Sequence, residues 1–161
     1  IIQELSAANI FLVLKTGEIV TPSLDRKTIL PGVTRDSILV LAREYADELG
    51  DAMKESTGDE SVQVTVSERD VKVGDFNNAV EVFITGTAAE VVPVASLATG
   101  SKDCDNFSVT LKHGKALPGG PVTAKLLSIL REVMVGKRTC DATKGWLRDP
   151  FASPEEFRAD G

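Results

Sequence analysis

The sequence has 161 residues, 42% of them hydrophobic, and a formal net charge of −6. That length allows one domain with a buried core, while the negative charge argues against nonspecific nucleic-acid binding, which needs a basic surface. No apolar run reaches the roughly 20 residues that a membrane-spanning helix requires. We therefore expect a protein that binds neither nucleic acid nor membranes.

The chain shows no signal peptide and does not begin with Met, so we expect a fragment or a processed product. Its two cysteines, Cys104 and Cys140, lie far apart, which favours free thiols in a reducing, intracellular compartment. The single histidine, His113, lies in a polar turn, and no His/Cys cluster has metal-ligand spacing. No metal site is predicted.

The first half of the chain is predicted to form a β-hairpin and then a helix. Strand formers at 9–14 and 19–21 flank a polar turn. Thr34 is predicted to cap the helix that follows, and Gly50 to end it. The apolar face of this helix is predicted to be Ile38, Leu41, Ala42, Tyr45 and Leu49. Residues 51–60 are predicted to form an exposed acidic loop.

The second half is predicted to add strands and one more long helix. Alternating valines at 62–66 indicate a strand, residues 70–79 a short helix, and 80–85 and 91–94 two further strands. A helix is predicted at 121–135, with Pro in its first turn and Gly after its end. Its apolar stripe is Val122, Leu126, Ile129, Leu130 and Val133.

The order of these elements predicts a mixed α/β (α+β) fold in a single layered domain with four or five strands and two long helices. The predicted domain covers residues 1–148, and a polar tail covers 149–161.

Two turns are candidate anion-binding sites. The turn of Gly32–Thr34 begins the first helix, whose free N–H groups and dipole favour an anion. The segment of residues 85–90, Thr-Gly-Thr-Ala-Ala-Glu, ends a strand in a small-residue turn that exposes backbone N–H groups and two hydroxyls. A well-capped helix would also explain the first turn, and a tight turn with close backbone packing would also explain the second. For each turn, the structural and the anion-binding interpretation both stay open.

Glu4 and Asn9 lead into the first strand. On spacing alone, Asn9 is predicted to bond to its own backbone, whereas a functional interpretation needs Glu4 to face a cationic ring nitrogen. No nucleophile–base pair of a hydrolase and no GxGxxG dinucleotide fingerprint stand out.

Together these segments resemble the signature of the class IV pyridoxal-phosphate aminotransferases. The residues that carry the resemblance are Glu4, Ser6, Asn9, Ile10, Phe11, Ile19, Val20, Thr21 and the run 30–35. Within the family, residues 29–35, 86–94 and 144–147 are similar to the branched-chain amino acid aminotransferases. The resemblance implies the large C-terminal domain of the fold-type IV architecture, cut just after the catalytic lysine.

The resemblance also implies pyridoxal 5'-phosphate as the cofactor. Glu4 would keep the pyridine nitrogen protonated. The cofactor is implied to contact two further groups of residues, Gly32, Val33 and Thr34 in one turn and Gly86 and Thr87 in the other. The substrate α-carboxylate would face the backbone of Thr87, Ala88 and Ala89.

The reaction implied is amino transfer between leucine, isoleucine or valine and 2-oxoglutarate, in a homodimer. The family's Schiff-base lysine precedes the Glu4 segment, and Lys15, Lys27 and Lys125 match no catalytic position. We therefore expect no catalytic residue in this chain and no activity from it alone. The alternatives are D-amino acid transamination, aminodeoxychorismate cleavage, or a non-catalytic dimerising fragment, which the retention of Glu4 disfavours.

Overall fold

The computed structural model describes three stretches of the chain, residues 8–98, 108–111 and 119–147. Several residues singled out by the sequence lie outside them, namely Glu4, Ser6, Cys104, His113 and the predicted tail at 149–161. No helix in these stretches is long and apolar enough to cross a membrane. The same stretches contain no group of three or more His, Cys, Asp or Glu side chains placed to hold a metal ion.

A five-stranded mixed sheet forms the centre of the fold, in the order β3-β2-β1-β4-β5. Its strands are β1 (Asn9–Leu14), β2 (Glu18–Thr21), β3 (Thr65–Glu68), β4 (Ala79–Gly86) and β5 (Glu90–Pro93). β1 is antiparallel to both β2 and β4, and β3 is parallel to β2. A separate antiparallel pair joins β6 (Ser96–Ala98) to β7 (Ser108–Thr110).

The predicted hairpin at 9–21 and the strands near 80–85 and 91–94 are confirmed. The strand predicted at 62–66 starts only at Thr65, where the ladder with β2 begins. Val62 and Val64 lie before that ladder, yet both pack against the core, which explains their alternating pattern. The short helix predicted at 70–79 is a 3-10 helix at Val73–Asn78.

The long helix predicted after residue 34 is in fact two helices, α1 (Val33–Glu44) and α2 (Ala46–Thr57), separated at Tyr45. The predicted stop at Gly50 and the predicted acidic loop at 51–60 are therefore wrong. Leu49, Met53 and Ser56 are buried at helical spacing, and the acidic residues between them face solvent. α2 ends at Gly58, whose φ of 75° gives the left-handed cap.

The core has two parts, one on each face of the sheet. On the helical face, Phe11 of β1 and Phe83 of β4 stack with ring centroids 5.0 Å apart, and α1, α2 and α3 (Pro121–Met134) pack over them. The predicted stripe of α3 is entirely buried there. On the opposite face, Ile10 and Leu12 pack against Phe76 of the 3-10 helix.

Candidate functional site

The two predicted turns begin at the same end of the sheet. β1 starts there and β4 ends there, because the strands are antiparallel and Asn9 is paired with Thr85. The turn of residues 87–89 connects β4 to β5 and so begins two residues beyond this pair. The position of the other turn, at the start of α1, is set by hydrogen bonds from Asn9 and Arg35.

Asn9 joins the start of β1 to the turn before α1. Its Nδ2 donates to the carbonyl oxygen of Leu30 at 2.9 Å, and the residue is 6% exposed. The prediction that Asn9 bonds to its own backbone is therefore wrong, since the partner is 21 residues away. A Cβ on Gly32 would overlap Oδ1 of Asn9, so a larger residue at this position would have to displace the Asn9 amide.

Arg35 holds the same turn from the other side. It is 2% exposed and donates to the carbonyl oxygen of Pro22 at 2.9 Å and to Oε2 of Glu68 at 2.7 Å. Arg43, two turns further along α1, donates to Oε1 of Glu68 at 3.1 Å. The sequence placed Arg35 only at the end of a signature, because periodicity gives no signal for a buried arginine.

The charge of Glu68 is stabilised by this arrangement. Burial raises the pKa of Glu68, but the hydrogen bonds and charges of Arg35 and Arg43 outweigh it, so the pKa lies below its usual value. Glu68 is therefore ionised at neutral pH and anchors the first turn of α1 to the end of β3.

The N-terminus of α1 is open in the sense that no described side chain caps it. Gly32 is the N-cap, and the prediction that Thr34 caps the helix is wrong because Thr34 is the second helical residue. The first hydrogen bond of the helix runs from the Asp36 N–H to the Gly32 carbonyl, and no described side chain caps the N–H groups of Val33 and Thr34. Val33 is 78% exposed. These N–H groups are available to an external anion.

The N-terminus of α3, by contrast, already holds an anion from this chain. Glu81 of β4, 2% exposed, accepts from the N–H of Val122 at 3.0 Å and from the N–H and hydroxyl of Thr123 at 2.8 and 2.6 Å. The hydroxyl of Ser56 in α2 adds a bond of 2.6 Å. A Cβ on Gly120 would overlap this carboxylate. Sequence reasoning missed Glu81, because alternation in a strand does not show what faces a residue.

The turn after β4 is also open. Thr87 and the two alanines that follow are exposed, and apart from the two chain neighbours of Gly86 no described residue lies within 4 Å of where its Cβ would be. Close packing therefore does not explain Gly86. Thr85, just before the turn, is 1% exposed, and its Oγ1 has no hydrogen-bond partner among the described residues. Glu90 closes the turn with a φ of 56° and accepts from Arg131 at 2.8 Å.

The site thus consists of two open turns at one end of the sheet, joined through Asn9. Two of the lysines that match no catalytic position lie outside these turns: Lys15 is in the β1–β2 turn at the other end of β1, and Lys125 of α3 pairs with Glu48 at 3.3 Å. Exposed backbone donors without an internal anion fit a phosphate or a carboxylate. The buried hydroxyl of Thr85 beside them has no partner among the described residues, so a ligand or a water molecule could complete its hydrogen bonding.

The family model for class IV amino-transferases matches residues 1–97 of this chain. The mitochondrial branched-chain amino acid aminotransferase 1 of Arabidopsis thaliana is 40% identical over 146 residues, which cover 91% of this chain and 30% of the relative. A methionine aminotransferase of the same plant is 33% identical over 145 residues, or 90% of this chain and 32% of the relative.

Among solved structures, the PLP form of the branched-chain amino acid aminotransferase of Thermobaculum terrenum is 32% identical, with a TM-score of 0.55. The match covers 82% of this chain and 33% of that one. This chain belongs to the class IV aminotransferase family, and its mixed α/β fold is that of these enzymes. It spans about a third of the length of the curated relatives that it matches.

Proposed function

We propose that this chain is the part of a branched-chain amino acid aminotransferase that holds the phosphate of pyridoxal 5'-phosphate and the carboxylate of the substrate. The observation that carries the proposal is the open N-terminus of α1 at the same end of the sheet as the open Gly86–Ala89 turn. Membership of the class IV aminotransferase family supports the choice of the two anions, the cofactor phosphate and the substrate carboxylate.

The turn at the start of α1 fits the cofactor phosphate. The N–H groups of Val33 and Thr34 and the Thr34 hydroxyl would donate to it, and the positive end of the helix dipole would add to the attraction. Gly32 allows the backbone to lie against Asn9 without a Cβ in the way. The cofactor, when bound, supplies an electron sink for the carbanion that forms when the substrate loses its α-proton.

The turn after β4 would serve both the cofactor and the substrate. Gly86 and the hydroxyl of Thr87 would add phosphate contacts, and the backbone N–H groups of Thr87, Ala88 and Ala89 would bind the α-carboxylate of the amino acid. The small side chains leave the backbone accessible, since all three residues of the turn are exposed. Glu4, outside the described residues, is proposed to pair with the pyridine nitrogen.

The catalytic lysine is proposed to lie outside this chain, which would form the C-terminal cofactor-binding domain, residues 1–148, of a longer homodimeric enzyme. The reaction would be a ping-pong exchange of the amino group between a branched-chain amino acid and 2-oxoglutarate. An intracellular location fits relatives whose names describe mitochondrial and cytosolic enzymes.

The experiment that tests this is a coupled assay of the complete protein with 2-oxoglutarate and a panel of amino donors. We expect turnover of L-leucine, L-isoleucine and L-valine. We expect no turnover of L-leucine by the 161-residue chain alone. Activity with D-alanine but not L-leucine would overturn the assignment in favour of a D-amino acid transaminase. Cleavage of aminodeoxychorismate without transfer of an amino group to 2-oxoglutarate would identify a lyase.

Methionine is a second candidate donor, because one of the similar proteins is named a methionine aminotransferase. L-methionine therefore belongs in the same panel. A kcat/KM for L-methionine that exceeds those for all three branched-chain amino acids would assign the protein to that activity and leave the proposed cofactor site unchanged.

A further inference from the structure

We propose that Asn9 is a positioning residue that sets the two anion-binding turns relative to each other. The inference rests on the proposed function, because it concerns the cofactor phosphate that these turns would hold. Asn9 itself is buried and therefore acts through the turns and not by touching the ligand.

The first link runs from Asn9 to the turn before α1. The bond from Nδ2 to the Leu30 carbonyl fixes the chain two residues before the N-cap. Oδ1 occupies the space that a Cβ of Gly32 would need, so the amide and the glycine are complementary in shape. The backbone of Gly32 has φ −68° and ψ 132°, which any residue can adopt, so it is the contact with Asn9 that favours glycine here.

The second link runs from Asn9 to the turn after β4. Asn9 is the strand partner of Thr85, and directly opposed residues of antiparallel strands present their side chains on the same face of the sheet. That face is the one covered by α1, because Phe11 and Phe83, each two residues from this pair on its own strand, belong with Ile38 to the helical part of the core. The buried, unpartnered hydroxyl of Thr85 therefore lies on the side of the sheet where α1 begins.

These links give Asn9 a function that Arg35 does not share. Arg35 joins α1 to Pro22 and Glu68, on the side of β2 and β3. Asn9 instead makes the side-chain hydrogen bond that joins the chain just before α1 to β1, the strand paired with β4, which ends in the Gly86–Ala89 turn. Loss of the Asn9 amide would free the first turn of α1 to shift relative to β4, while leaving the Arg35 anchor intact.

The test compares two probes, pyridoxal 5'-phosphate and pyridoxal, in spectral titrations of the complete protein. We expect Asn9→Ala to raise the dissociation constant of pyridoxal 5'-phosphate about tenfold and that of pyridoxal less than about twofold. Gly32→Ala, whose Cβ displaces the Asn9 amide, should give the same selective loss. The double variant should be no worse than either single variant, because both changes break one contact.

Asn77→Ala, a change at an exposed asparagine of the 3-10 helix, is the matched control and should bind both probes like the wild type. Should Asn9→Ala fail to fold, Asn9→Leu, which keeps the branched shape of the side chain but lacks the Nδ2 donor to Leu30, decides the question. Equal loss of affinity for both probes, or no loss, would overturn the inference while the proposed function stands. A wild-type protein that binds neither probe would overturn both.

Discussion

Glu81 of β4 holds the first turn of α3 through Thr123, whose backbone N–H and hydroxyl both donate to Oε2, at 2.8 and 2.6 Å. The other carboxylate oxygen accepts from Val122 and from Ser56. A buried carboxylate thus completes the donors at one helix start and joins α2, α3 and the sheet. The start of α1 has no such carboxylate among the described residues, and we propose that a ligand takes that place.

Glu81→Gln should lower the free energy of unfolding by at least about 2 kcal/mol. The amide keeps the shape but removes the charge and turns an NH₂ group toward backbone N–H donors, which leaves buried groups unsatisfied. Urea unfolding followed by circular dichroism measures the change. Glu55→Gln, at an exposed position of α2, is the control and should leave the midpoint unchanged. An unchanged midpoint for Glu81→Gln would show that the carboxylate does not hold α3.

Gly50→Ala should stabilise the protein by about 0.5–1 kcal/mol, because alanine is the better residue in the middle of a helix. Apart from its chain neighbours and the helix's own backbone, no described residue lies within 4 Å of the added Cβ. Gly58→Ala is the informative contrast and should destabilise, since the φ of 75° at that cap strains any residue with a Cβ. Thermal unfolding compares the two variants. A loss of stability in Gly50→Ala would mean that α2 does not continue through residue 50.

Glu68→Gln should make the free energy of unfolding change less as the pH falls into the acid range. The pKa of Glu68 is lowered in the folded state, so its contribution is complete above its unfolded value near 4.5 and is lost as the pH falls through the folded value. At pH 7 the variant should be less stable by about 1 kcal/mol, and below the folded pKa the difference should vanish.

Urea unfolding at a series of pH values between 7 and about 3 measures the Glu68 effect. Glu60→Gln removes a carboxylate that is exposed and has no ion-pair partner among the described residues, and should run parallel to the wild type. A Glu68→Gln curve that stays parallel to the wild type throughout would refute the ion pair with Arg35.

Thr34→Val and Thr87→Val should each weaken binding of pyridoxal 5'-phosphate by about three- to tenfold, because each removes a hydroxyl proposed to donate to the phosphate without changing the size of the side chain. Spectral titration of the complete protein gives the dissociation constants. Thr16→Val, in the exposed turn at the other end of β1, should bind like the wild type. Wild-type affinity in both site variants would remove the hydroxyls from the proposed site.

Local patterns in the sequence predicted a substantial part of the fold. The hairpin of β1 and β2 and the apolar stripe of α3 were correct, because the spacing of apolar residues follows directly from which face is buried. The wrong prediction of a helix end at Gly50 also came from a local pattern. An amphipathic helix with an acidic face and a central glycine has the composition of a loop, and only the burial of Leu49 and Met53 distinguishes the two.

The sequence by itself determined the family signature, the two turns and the elements that carry them, since these depend on residues close together in the chain. The tertiary structure alone decided which polar residues hold the turns in place. The hydrogen bonds Asn9–Leu30, Arg35–Glu68 and Glu81–Thr123 join residues that are 21, 33 and 42 positions apart in the sequence. Burying a polar side chain costs free energy unless it forms a hydrogen bond. Partners that far apart in the sequence come together only when the sheet and the helices around it have formed.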